Sequence, residues 1–230
     1  TYYLATAFRN LWKNKFYSSI NIIGVSIGLA VGILVMLWVQ DELSYNKFQR
    51  KADRIYKINS HVGTGIGAQV WEGSPSPVAV FSKNEIPEVE SSVRIKDVWD
   101  MSLFTYGGNK FVVDNMAYVD NSFFDVFNFN FIKGNKENPF KDANSVAITQ
   151  SMAKKFFGDA DPLGKILSTD TKENFTVTAV MEDFPGNSTL WYNMLFPIEN
   201  HAKKFRGNGE WKTRSSTPKT KPIFTWCDHS

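Results

Sequence analysis

Charge vanishes from the chain between residues 20 and 39, INIIGVSIGLAVGILVMLWV, a run of twenty residues. At 1.5 Å rise per residue such a helix is about 30 Å long, the thickness of a bilayer's hydrocarbon core. A buried helix of a soluble protein would carry a charged face somewhere, so the run predicts a transmembrane helix over residues 20–40. It exceeds the apolar region of a secretory signal, and QDELSYNKF after it offers no small-x-small cleavage site. The span is therefore expected to remain as an anchor. Upstream, Leu4, Ala7, Phe8, Leu11, Trp12 and Phe16 recur at helical spacing between Arg9, Lys13 and Asn14. That spacing predicts an amphipathic helix within residues 1–19, lying in the cytoplasmic interface.

Beyond the span the period shortens. Residues 41–58 mix Leu43, Tyr45, Phe48, Ala52 and Ile55 with charges, a pattern that predicts a helix leaving the bilayer and passing into a strand. Tyr56, Ile58 and Val62 alternate until the glycines at 63–67 break the strand. Prolines before VAVFSKN predict a short helix over residues 77–84, followed by a strand over 92–99. Two β-prone runs around Gly107-Gly108-Asn109 predict a hairpin, and residues 116–119 a further strand. NSFFDVF reads as a helical turn capped by Asn121 or Ser122, and Phe127, Phe129 and Phe131 as one buried strand face. Five phenylalanines between residues 123 and 131 predict a core rather than a ligand patch.

Residues 146–148 form a strand feeding a helix capped by Thr149, buried through Met152, Ala153, Phe156 and Phe157 and stopped by Gly158. DADPLGK is a turn, and Phe175, Val177, Ala179 and Met181 predict a half-buried strand. These elements define an α+β class: an N-terminal membrane helix, then an α+β domain of mixed strands and short helices over residues 41–200, with most strands paired locally. From His201 the chain is rich in Lys, Thr, Ser and Pro. Residues 201–230 therefore read as a polar tail or a truncated end, and the chain as a fragment.

Charge sets the orientation. Arg9, Lys13 and Lys15 precede the span and Asp41 and Glu42 follow it, which predicts a cytoplasmic N terminus and an extracytoplasmic location from residue 41 onward. Trp12 and Trp38, with Arg9, Lys13 and Lys15, are the expected membrane-interface residues. Gly24, Gly28 and Gly32 recur every four residues, a side-chain-free groove for helix packing.

Chemistry is sparse. With 26 basic and 23 acidic residues the net charge is +3, too balanced for a nucleic-acid face. The single Cys227 and three scattered histidines form no metal cluster. GDADPLGK places five residues between its glycines and Ile166 after its lysine, which breaks the P-loop pattern. No nucleophile elbow, SxxK pair or paired acid and base is present. The sequence offers no catalytic, cofactor-binding or metal residue.

The blocks RNLWKNKFYSSINIIGVSIGLAVGILVMLWVQDELSYNKF, ADRIYKI, YVDNSFFDVFNFNFIKGN, SVAITQSMAKKFFGDADPLGK and FTVTAVMEDFP, in this order, resemble the start of an FtsX-like, MacB-type ABC transporter permease with a MacB-like periplasmic core domain. The likeness spans about residues 3 to 200. It implies a bacterial inner-membrane permease subunit with a stalk at Asp41 to Ala52, three further spans and no enzymatic activity of its own. ATP hydrolysis would belong to a separate ABC ATPase subunit or domain. Such a permease transmits ATPase-driven motion across the bilayer for efflux or export. The resemblance further implies a second permease copy or homologous permease, packed against the glycine face, and a periplasmic adaptor or other periplasmic protein as partners. A single-pass, membrane-anchored sensor or binding module is the alternative if the C terminus is genuine.

Overall fold

The computed structural model describes residue 9 and residues 12–63, 65–99 and 101–204, together with the backbone of residues 224–229. It divides into two units, Thr1–Tyr45 and Asn46–Ser230. In the first unit, α1 runs Lys15–Glu42, 28 residues, with none of its residues buried. Its apolar surface points outward on all sides, as a lipid-facing helix requires and a soluble core helix does not. The amphipathic helix expected within residues 1–19 falls largely outside the described residues; Arg9, Trp12 and Lys13 are helical, and Asn14 forms a turn before α1.

The helix stops at Glu42, so the helical stalk expected from Asp41 to Ala52 is not a continuous helix. Residues 43–51 turn instead, and Ala52–Arg54 form one 3-10 turn. Two local causes are visible. The Ser44 hydroxyl and amide both donate to the Asp41 carbonyl, at 2.7 and 2.9 Å, and Asn46 sits at φ 58, a left-handed conformation that a right-handed helix cannot include.

The second unit is built on a twisted mixed sheet. Its strands are β1 (Ile55–Ile58), β4 (Val89–Asp97), β5 (Leu103–Tyr106), β6 (Asn109–Val112), β7 (Met116–Val119), β8 (Phe131–Gly134), β9 (Ser145–Thr149), β10 (Ile166–Thr169), β11 (Asn174–Met181), β12 (Met194–Pro197) and β13 (Phe224–His229). They lie in the order β1-β13-β4-β7-β12-β9-β11-β10-β5-β6, with β8 also against β11. A separate pair, β2 (Ser60–Val62) and β3 (Gln69–Trp71), forms a small antiparallel arm. The helices are α2 (Pro77–Glu85), α3 (Phe123–Val126), α4 (Gln150–Phe157) and α5 (Ile198–Lys204). The fold is α+β.

Pairing is mostly non-local, contrary to the expectation of local pairs. Only the β5–β6 hairpin, the β10–β11 pair and the β2–β3 arm join strands consecutive in sequence among those described, and β7–β12 and β9–β11 are parallel. Parallel neighbours cannot be joined by a tight turn, so their pairing leaves no local turn signal. In the hairpin, Gly107 and Gly108 both have positive φ, 56° and 85°, the two-residue turn that matches strand twist.

The central strands are covered on both faces. Met116, Tyr118, Val146, Ile148, Met194 and Phe196 face one core, closed by Met152, Phe156 and Phe157 of α4. Ala117, Val119, Ala147 and Leu195 face a second, filled by Phe123, Phe124, Phe127, Phe129, Phe140 and Phe184. Each buried phenylalanine contributes about 1.5–3 kcal/mol of transfer free energy. The Phe127 to Phe131 series is a core, yet not one strand face. Phe127 and Phe129 reach it from an irregular segment and β8 begins at Phe131.

Three further expectations change. In β11, the alternation 175, 177, 179, 181 does not stay on one face: the register against β9 slips between Val177 and Ala179, a bulge at Thr178. Phe175, Val177 and Val180 enter the first core, Ala179 and Met181 the second. Ser122 stands at the start of α3 without a capping bond, because its hydroxyl donates to the Ser92 carbonyl at 2.8 Å. Finally, the polar tail expected from His201 ends in structure: residues through Lys204 complete α5, and the backbone of β13 pairs with both β1 and β4. FTWCDH carries the β-branched and aromatic residues of a strand, hidden in a window dominated by Lys, Ser, Thr and Pro.

Candidate functional site: the apolar helix and the root of the sheet domain

Every predicted membrane residue that is described lies exposed. Trp12 and Lys13 precede α1, and the Lys15 ammonium stands 5.0 Å from the Trp12 ring centroid, a cation over an aromatic face. Trp38 lies near the far end of α1, about 35 Å along the axis from Lys15, a separation suited to the two interfaces of one bilayer. A Cβ added to Gly24, Gly28 or Gly32 would meet nothing within 4 Å, so the described residues leave the glycine face unfilled.

The sheet domain begins at Asn46, and there the chain is tied down within one turn. The Asn46 amide donates to the Asn187 carbonyl at 2.9 Å. Its side chain pairs with Thr189 in both senses: Nδ2 donates to Thr189 Oγ1 at 2.6 Å, and Oδ1 accepts from the Thr189 amide at 2.9 Å. Three residues on, Gln49, only 7 % exposed, accepts through Oε1 from the Asn128 amide at 2.6 Å. Phe48 packs on Phe129 at 6.1 Å between centroids, and Phe129 on Phe184 at 4.3 Å. Asn46, Gln49, Ala52, Ile55, Phe127 and residues 188–190 line a cavity of about 110 Å³ there. The sequence pattern did not single out Asn46 or Gln49, because their contacts lie 143 and 79 positions away and have no local signature.

Elsewhere the polar groups knit elements together. Arg94 on β4 grips Asp120 with Nε to Oδ2 at 2.9 Å and Nη2 to Oδ1 at 2.6 Å, and donates to Ser76 Oγ at 3.1 Å. This paired, hydrogen-bonded arrangement is what lets a guanidinium be buried. Burial, and then the neighbouring Asp97 carboxylate, pushes the Tyr192 phenol above its usual range. A hydrogen bond from Lys133 holds the exposed Asp161 carboxyl below its usual value. Among the described residues no three His, Cys, Asp or Glu side chains gather as metal ligands.

An apolar helix long enough to cross a membrane, leading into this mixed sheet, is the layout of a membrane-anchored protein with a sheet domain outside the bilayer. The sequence matches the family described as the MacB-like periplasmic core domain over residues 18–217, and the chain belongs to that family. No curated protein matches it. Three solved structures share the fold. A domain assigned to a permease of Porphyromonas gingivalis is similar at 22% identity and TM-score 0.66, over 79% of this chain and 75% of that one. The periplasmic region of MacB from Actinobacillus actinomycetemcomitans is similar at 16% identity and TM-score 0.54, over 78% and 76%. The extracellular domain of the noncanonic ABC-type transporter YknZ from Gram-positive bacteria matches at 16% identity and TM-score 0.50, over 76% and 83%.

Proposed function

We propose that this chain is part of a permease subunit of a MacB- or FtsX-type ABC transporter in a bacterial inner membrane, passing ATPase-driven motion to its periplasmic domain for efflux or export. The observation that carries the reading is the family match over residues 18–217, which takes in most of the apolar helix as well as the sheet domain. The short connection supports it: α1 ends at Glu42 and by Asn46 the chain is bonded to residues 187 and 189. The charge flanks support a cytoplasmic N terminus and a periplasmic location from residue 41 onward. ATP hydrolysis belongs to an ABC ATPase subunit or domain. The glycine face of α1 packs against a second permease copy or a homologous permease, and a periplasmic adaptor or other periplasmic protein meets the domain.

The test begins with topology. With Cys227 replaced by Ser, a Lys136→Cys variant, at an exposed position after β8, should react in spheroplasts with a thiol reagent that cannot cross membranes. Reaction only after lysis would overturn the orientation. The same membranes, solubilised mildly, should yield an ABC ATPase with the tagged chain, and its absence in a chain correctly inserted would favour the single-pass binding module.

A further inference from the structure

The loop over residues 182–193, between β11 and β12, has no regular structure of its own. Loops of that length inside a compact domain are held by side chains or are functional. The two ends of this loop are fixed by the rest of the domain, Asp183 by Ser151 and Asn193 by the Asn115 carbonyl and Asp114, while its middle is tied to the first residues of the domain through the three hydrogen bonds of Asn46 to Asn187 and Thr189. Gln49 and Phe48 attach the same short segment to a second loop, at Asn128 and Phe129, which leads from α3 into β8. Residues 46–49 thus bridge two loops feeding different strands. Asn46 suits the place because its short amide can hold a left-handed backbone, φ 58, and still offer one donor and one acceptor to Thr189.

We infer that Asn46 is a positioning residue, a latch that makes the middle of the 182–193 loop, at Asn187 and Thr189, follow a displacement of the chain arriving from the membrane helix. The latch rests on geometry alone; its use as a relay rests on the permease reading. A latch of this kind opens before the sheet does, because it consists of a few hydrogen bonds near the surface, whereas β9, β12 and the second half of β11 are buried on both faces.

Hydrogen exchange on the full chain in lipid nanodiscs tests it with two substitutions. Asn46→Gly keeps the left-handed backbone but removes both side-chain bonds, and should speed exchange of the Thr189 amide about tenfold, the equivalent of one net hydrogen bond, with β9 and β11 unchanged. Asn46→Asp keeps an acceptor for that amide and should restore most of the protection. Thr189 exchange equal to the parent's in Asn46→Gly would overturn the latch, since strain cannot mask the result. The relay is read separately, in the permease assembled with its ATPase. Adding a non-hydrolysable ATP analogue should change exchange across residues 182–193 in the parent and fail to do so in Asn46→Gly. A parent loop indifferent to nucleotide, with the Asn46 substitutions behaving as stated, would overturn the relay while leaving the latch as a fixed tie.

Discussion

Gly134, the last residue of β8, sits at φ 98 where that strand meets the bulged part of β11. A Cβ there would come within 2.6 Å of the Thr178 carbonyl oxygen and 2.8 Å of the Ala179 Cα, both backbone atoms that cannot swing aside. The bulge and the glycine depend on each other. Thr178 is the extra residue, its hydroxyl donating to the Pro139 carbonyl at 2.6 Å, and the strand it displaces leaves no room for a side chain opposite. Gly134→Ala should therefore destabilise the domain by about 2–4 kcal/mol, combining left-handed strain with overpacking. Urea unfolding of the chain in detergent measures it, and a loss below about 0.5 kcal/mol, the level of an ordinary surface change, would show that the backbone relaxes. Asn46 follows the same logic from the other side, a left-handed residue whose side chain is used rather than absent.

At the scale of elements, β13 carries the most consequence. Among the described strands it is the one ladder partner of β1, and it joins β1 to β4 through Ile55↔Asp228 and Trp226↔Val93. Trp226→Pro removes one ladder donor from a strand paired on both sides, at a cost of about 3 kcal/mol or more. Hydrogen exchange should rise across residues 55–58 while β9, β11 and β12 keep their protection; an unchanged β1 would mean that it is held by something other than β13. This strand also marks where reading the sequence runs out. Local signals gave α1, α2, the Gly107-Gly108 hairpin, Thr149 as the cap of α4 and the phenylalanine core, because each is decided by neighbours in the chain. The bulge at Thr178 could not be placed from FTVTAVM, where the alternation ends in the apolar run Ala179-Val180-Met181 that a strand buried on both faces would also show, since the slip is set by β9. The end of α1 at Glu42 turned on two polar residues, Ser44 and Asn46, against a longer run of helix-compatible spacing. The Asn46 latch was invisible for the same reason as the sheet order: its partner is far away in sequence.

For the molecule as a whole, α1 poses the problem that the sheet domain solves for itself. The domain buries both faces of its central strands, but none of the residues of α1 is buried, and a Cβ added at Gly24, Gly28 or Gly32 would meet open space among the described residues. In lipid the bare apolar surface is no liability, because hydrocarbon solvates leucine as well as another helix does. A row of glycines is different. It forgoes side-chain packing with lipid and gains it back when a second helix approaches closely enough to touch backbone, which is the reason to expect a partner there rather than a simple anchor. Gly28 is the middle of the three. Gly28→Leu should leave the mean hydropathy of the span higher and insertion intact, yet weaken helix association about tenfold, or about 1.4 kcal/mol. Cysteine cross-linking between neighbouring copies or permeases, compared at equal amounts of inserted chain, reads the difference, with Gly28→Ala expected between the parent and Gly28→Leu. Equal cross-linking in all three would mean that the glycines face lipid, and that whatever reaches the domain from the membrane arrives through this single helix without a partner at its side.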